Sequence, residues 1–332
     1  MGEEDETASQ CFTAGGYHSK HAKFVSHPSC SRSVEKPHVN SDAPPVDPSG
    51  DSPNPPYFDA LLDRLARHDP HTSAAFGKHV HWGLWRQPPQ GAISAAEYGL
   101  AAEALCAELC HVAAITNRQR ILDVGCGFGG TIASLNERFH GLNMLGANID
   151  VRQLRRAAKT VHPQNGNDIQ WLACDAARLP LADASFDRVL AVECIFHFDR
   201  AAFLAEAARV LREGGSLTIS DFVPDERMTE YLDAFDLAAD EAIRWTYGQI
   251  DLRCSRERYH ALADENALTL TEVRDVTRQT LPTYDFLRQT AADWDDRQAA
   301  ETFNRATGRL EKASRKGLLR YEILRFEKPP AP

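Results

Sequence analysis

The chain has 332 residues, 43% of them hydrophobic and 25% charged, which supplies enough apolar side chains for a sizeable buried core. Its 47 acidic residues outnumber 37 Lys and Arg, and the net charge of −10 argues against a nucleic-acid partner or an anionic membrane surface. No apolar run approaches the ~20 residues of a membrane span and no secretory leader is visible. The chain therefore reads as cytoplasmic, with a small molecule as its expected partner and self-association left open.

Residues 1–56 stand apart. Eight of the 18 prolines fall there, and only 14 of those residues are hydrophobic, too few to offset ordering entropy. The segment reads as a solvated tail dispensable for chemistry. Its Cys11, His18, His21, His27, Cys30 and His38 follow no compact metal-finger spacing. Residues 57–115 read as a helical cap. A first helix begins near Tyr57, an aromatic loop carries His79, His81, Trp82, Gly83 and Trp85, and a second helix covers Ser94–Ile115. Within that helix Cys106, Cys110 and His111 read as packing rather than a metal site. Eight scattered cysteines with no CxxC pair read as reduced thiols.

Residues 116–224 alternate strand and helix. Strands are predicted over Arg120–Val124, Asn143–Ile149, Ile169–Cys174, Arg188–Val192 and Ser216–Ser220, with helices over Thr131–Phe139, Val151–Lys159 and Ala201–Leu211. This order predicts an α/β fold, a doubly wound, Rossmann-like and mostly parallel sheet. Residues 225–268 read as a helical lid with helices over Asp225–Ala242 and Ser255–Asn266. Residues 269–332 complete the sheet through a strand at Thr269–Asp275, a helix over Tyr284–Ala313 and an antiparallel last strand, Leu319–Phe326, expected as an edge.

The most informative segment is Ile121–Gly130, ILDVGCGFGG, a strand that runs through glycines into a helix. Glycines permit the tight turn and close backbone approach to a ligand, and the helix N-terminus offers N–H groups. Gly125, Gly127 and Gly130 satisfy GxGxxG, which alone is a weak sign of a nicotinamide dinucleotide and hence of an oxidoreductase. Three features favour S-adenosylmethionine instead. Asp123 stands two residues before the first glycine; the second strand ends at Asn148, within reach of ribose hydroxyls; the third ends at Asp175-Ala176, where an adenine amino group could be met.

With LDVGCGFGG, the stretch DAARLPLADASFDRVLAVECIFHF and RVLREGGSLTISDF, residues 82–326 resemble the class I S-adenosylmethionine-dependent methyltransferases. The likeness is to their small-molecule branch, which includes natural-product O-methyltransferases and the sterol and prenyl diphosphate C-methyltransferases. The resemblance implies that Asp123, Gly125 and Gly127 hold the methionine end of the cofactor, and that Asp175 and the Ala176 N–H meet adenine. Glu193 is implied beside the methionine, and the His81–Trp85 loop, with Trp82, covers the cofactor. Asn148 departs from the family, replacing the usual acidic ribose ligand with an amide that lacks its charge.

Two chemistries follow. For oxygen methylation, His197 at the end of the fourth strand is the natural general base, with Asp221 at the next strand end to orient it, as in related sugar O-methyltransferases. For carbon methylation of an isoprenoid, Glu193 would face a carbocation. Trp82, Trp85, Phe196, Phe198, Phe222, Trp245, Tyr247 and Tyr284 are candidates for an apolar substrate chamber. Arg244, Arg253, Arg256 and Arg258 could serve a diphosphate, the one substrate that would bring Mg²⁺; otherwise no metal is expected. The leading expectation is O-methylation of a small, largely apolar secondary metabolite. A silent cofactor-binding protein is a distant alternative.

Overall fold

A computed structural model of the chain describes residues 56–228 and 240–330, so the expected tail lies outside the described residues. Helices α1 (Pro56–Ala66), α2 (Pro70–Phe76) and α3 (Ala95–Val112) precede the sheet. The short α2 is absent from the sequence reading; Asp69 caps it, with Pro70 in its first turn. Ser94 and Glu97 form a capping box that starts α3, which buries Leu105, Cys106, Leu109 and Cys110 against the core. Cys106 and Cys110 are thus packing thiols, and every described cysteine is free.

The sheet contains β1 (Arg120–Val124), β2 (Asn143–Asn148), β3 (Asp168–Ala173), β4 (Phe186–Val192), β5 (Leu211–Pro224), β6 (Thr269–Asp275) and β7 (Leu319–Glu327). Their order across the sheet is β3-β2-β1-β4-β5-β7-β6. All pairings among β1–β5 are parallel, and β7 runs antiparallel to both neighbours. The last strand is antiparallel as expected, but it is internal: β7 inserts between β5 and β6, and β6 forms the edge. Its residues explain the placement, since all nine are buried or half-buried while β6 alternates exposed and half-buried positions.

Period-two alternation distributes side chains to the two faces. Ile121 enters the cluster with Leu105 and Leu109 of α3, whereas Leu122 joins Phe203, Leu204 and Leu217 on the opposite face. Helices α4 (Gly130–Arg138), α5 (Val151–Thr160), α6 (Arg200–Val210), α7 (Glu241–Tyr247) and α8 (Arg256–Glu265) connect or cover the strands. Of the helix expected over Asp225–Ala242, residues 229–239 lie outside the described residues, and Asp240 caps the start of α7. After the short α9 (Thr277–Thr280), the expected Tyr284–Ala313 helix is two pieces, α10 (Pro282–Ala292) and α11 (Arg297–Arg315), because Asp296 caps a new start. The order reverses between β1 and β4, so their carboxyl ends diverge there and leave a crevice.

Candidate active site

The turn after β1 builds the floor of that crevice. Gly125 has φ +68°, and a Cβ there would lie 2.5 Å from Cys194 Sγ, so the β4 turn itself requires glycine. Gly127, at φ +54°, differs: the nearest atoms to its Cβ position are Val80 Cγ2 at 3.1 Å and Gln153 Oε1 at 3.8 Å. Its residue lines a chamber of about 520 Å³ that also contains Asp123, Gly125, Asn148, Trp82, Glu193 and His197. Seven of the expected site residues thus meet at one cavity.

Asp123 shares the strand parity of Ile121 and is 1% exposed, yet neither carboxylate oxygen has a partner. Burial, with Cys106 behind it, keeps its carboxyl well above the usual carboxylate range. A buried, unpartnered carboxyl in a cavity wall suits a cationic ligand group, and the methionine ammonium of S-adenosylmethionine supplies one. Beside it α4 begins at left-handed Gly129 without a side-chain cap, so its first N–H groups stay available to a ligand.

Asn148 ends β2 and donates to Gln153 Oε1 (3.0 Å), while Gln153 Nε2 reaches Asp150 Oδ2 (3.4 Å). Asp150 also caps α5 and pairs with Arg152. The chamber beside the end of β2 therefore presents an amide pair, of which Gln153 is absent from the sequence reading. Asp175 is exposed and accepts the N–H of Ala177 in its own turn, and neither it nor Ala176 lines the chamber.

Glu193, just past β4, has φ +51°, a conformation that costs a non-glycine residue energy and persists only when its surroundings fix it. Its Oε2 accepts from the Trp82 N–H (2.8 Å) and the Tyr321 hydroxyl (2.5 Å), and its own N–H donates to Ser220. Burial outweighs these bonds and raises its carboxyl to about 8. Trp82 is locked among Phe222, Tyr284 and Tyr321, so the loop carrying it is pinned to β4 and β7. The same loop is anchored at its start. His79 and His81 contact each other, and Glu103 of α3 accepts from Lys78, Ser134 and His79. Burial and the neighbouring His79 depress His81 to about 3.

His197 sits on the short 3₁₀ turn Ile195–His197, with exposed surface on the chamber. Its Nδ1 lies 3.1 Å from the Gln249 carbonyl, an acceptor, so Nδ1 carries the proton and Nε2 the lone pair. The surrounding protein lowers its pKa to about 4, helped by the charge of Arg200. Asp221 does not orient this imidazole. It is fully buried, and its Oδ2 accepts from Arg200 Nη2 (2.8 Å) and the Tyr259 hydroxyl (2.5 Å). Sequence reasoning missed Arg200, although one signal exists: Arg200, Phe203, Leu204 and Ala207 share the buried face of α6.

Of the expected aromatic lining, Trp82, Phe196, Phe198, Phe222, Trp245 and Tyr247 border the chamber; Trp85 and Tyr284 do not. Among the described residues, no helix is long and apolar enough to cross a membrane.

A nucleotide-type crevice at the sheet's switch point, with an unpartnered acid beside a glycine turn, defines a cofactor-dependent α/β enzyme. The family described as "Methyltransferase domain" matches residues 122–219. Methyltransferase GfsG of Streptomyces halstedii is 35% identical over 217 residues, covering 63% of this chain and 73% of its own. The 27-O-demethylrifamycin SV methyltransferase of Amycolatopsis mediterranei (strain S699) is 29% identical, covering 82% and 94%. In fold the chain resembles geranyl diphosphate C-methyltransferase from Streptomyces coelicolor A3(2), with a TM-score of 0.61 at 17% identity over 81% of this chain and 98% of that one. The chain belongs to the class I S-adenosylmethionine-dependent methyltransferases, in their small-molecule branch. The nicotinamide reading of the glycine motif is thereby set aside.

Proposed function

We propose that the enzyme methylates a hydroxyl of a small, largely apolar secondary metabolite, with His197 as general base. The observation that carries this reading is an imidazole on the same chamber as Asp123, its Nδ1 held by the Gln249 carbonyl so that Nε2 is left for a substrate hydroxyl. When bound, S-adenosylmethionine supplies an electrophilic methyl on its sulfonium, and the chain must align the nucleophile and exclude water. Asp123 would hold the ammonium, Asn148 and Gln153 the ribose, and the Trp82 loop would close the site. The substrate hydroxyl proton passes to His197 Nε2. A pKa near 4 keeps that nitrogen free across the neutral range, though it makes a mild base, adequate for a proton lost as the new bond forms. The oxygen specificity printed in the name of the Amycolatopsis relative supports this direction.

The isoprenoid diphosphate alternative is less well served. Of the four arginines considered for an anion, Arg256 is paired with Glu322 and Arg258 with Glu265, and none of the four lines the chamber. The chamber lining carries Asp295 and Asp296 beside Arg64 and Lys78, and Lys78 is already paired with Glu103 and Glu137. A neutral substrate calls for no Mg²⁺. Glu193, with Oε2 already engaged twice, serves better as a clamp on the Trp82 loop than as a counter-ion to a carbocation.

The test is a mass-spectrometric screen of hydroxylated, largely apolar secondary metabolites for a one-methylene gain, followed by variants. His197→Ala is expected to lower turnover by about 10²–10⁴-fold with cofactor affinity unchanged. If Glu193→Gln is the more damaging change and the product carries the methyl on carbon, the oxygen reading is wrong.

A further inference from the structure

The base lacks the carboxylate partner that its position suggests, and a backbone carbonyl holds it instead. That carbonyl belongs to Gln249, two residues past α7, in a stretch with no regular structure of its own. Backbone of this kind places a carbonyl reliably only if something else fixes it.

Arg200 does so. Its side chain is 4% exposed, and it donates through Nη1 to Asp251 Oδ2 (2.6 Å) and through Nη2 to the Asp251 carbonyl (2.9 Å). The same guanidinium reaches Asp221 through Nη2, and its Nε donates to the Tyr259 hydroxyl (3.1 Å). The Asp251 N–H in turn donates to the Phe196 carbonyl (3.0 Å), the residue before His197. One buried cation therefore ties the end of β5, the start of α6 and residue 251 together, on both sides of the base. Asp221 is the counter-ion that keeps this cation in place.

Resting on the assignment of His197 as base, we propose that Arg200 and Asp251 are positioning residues for methyl transfer. They hold the 249–251 backbone so that the Gln249 carbonyl fixes the Nδ1–H tautomer of His197 and leaves Nε2 open to the substrate hydroxyl. The planar, multidentate guanidinium is what the arrangement needs; a lysine could reach only part of it.

The experiment records ¹⁵N spectra of histidine-labelled full-length protein with S-adenosylhomocysteine bound, with His197→Gln assigning the signal. Wild type is expected to show His197 protonated at Nδ1. Arg200→Lys strips the buried Asp221 carboxylate of part of its partner and risks unfolding; Asp251→Ala removes the half-exposed end of the clamp and keeps the Arg200–Asp221 pair. In Asp251→Ala the tautomer is expected to shift toward Nε2–H, and kcat to fall about 10- to 100-fold with the cofactor KM unchanged. A wild-type His197 protonated at Nε2, or a folded Asp251→Ala with its tautomer unchanged, overturns the proposal. A tautomer that shifts while kcat does not overturns His197 as the base and leaves the clamp standing.

Discussion

Replacing Asp123 by Asn should separate binding from stability, moving them in different directions. The carboxyl is buried with both oxygens unpartnered, so in the cofactor-free protein it contributes a desolvation cost and no compensating bond. The isosteric amide relieves the tendency to bury charge, and the free variant should unfold at the same temperature as wild type or higher. Binding is another matter. A hydrogen bond to a charged group contributes about 1.5–3 kcal/mol, so S-adenosylhomocysteine affinity should fall roughly 10- to 150-fold. A ligand at 100 times the wild-type Kd stabilises wild type by about 2.7 kcal/mol, and a hundredfold weaker variant by only about 0.4 kcal/mol. Calorimetry in buffers of different ionisation enthalpy adds a second reading. Burial raises this carboxyl in the free protein and an arriving ammonium lowers it again, so binding should release protons, which the variant cannot do. A folded Asp123→Asn protein with affinity within about threefold of wild type would refute the assignment of this carboxylate to the cofactor.

Gly127→Val forces a β-branched residue into left-handed backbone beside Val80, at a cost of about 1–2 kcal/mol, and fills the approach to the turn. Equilibrium dialysis should show S-adenosylhomocysteine binding abolished in a protein whose circular dichroism is native. Glu193 gives a pH signature. Its carboxyl keeps a proton up to about 8 in the folded protein but loses it at its ordinary 4.5 when unfolded, so it stabilises fully below 4.5 and less as pH rises toward 8. His197 acts in the opposite sense only below its ordinary 6.5. Unfolding free energies from urea titrations of the cofactor-free protein should therefore fall less between pH 6.5 and 8 in Glu193→Gln than in wild type, the difference being about 2 kcal/mol.

The sheet and its glycine turn were legible because short apolar runs end on glycine or polar residues, a pattern that local sequence carries. The crevice followed from the strand ends, and Asp123, Asn148, Glu193 and His197 do share it. The partnerships did not follow. Arg200 and Asp221 are 21 positions apart, Glu193 and Tyr321 128, and no local periodicity encodes which distant hydroxyl or guanidinium a buried carboxylate will find. Tyr321 read as one more apolar residue of a strand, although its hydroxyl meets both Glu193 and Ser220. Asp175 lies outside the chamber lining for a nearer reason. An aspartate leading into a turn can satisfy itself on the backbone two residues ahead, and here it does.

The internal position of β7 sets a schedule for the chain's synthesis. β5 is complete at Pro224, yet the strand that covers its outer edge follows only after about 100 further residues. At about 5–20 residues per second the ribosome leaves that edge unpaired for roughly 5–20 seconds. β5 is buried along nearly its whole length in the finished fold, so during this interval it is an apolar template for strands of other nascent chains. Glu193 also waits, since the Tyr321 hydroxyl arrives on that same late strand. Cofactor capture during translation should thus be impossible before β7 has threaded between its neighbours, and a slow codon within the β6–β7 stretch would lengthen the aggregation-prone interval rather than aid folding.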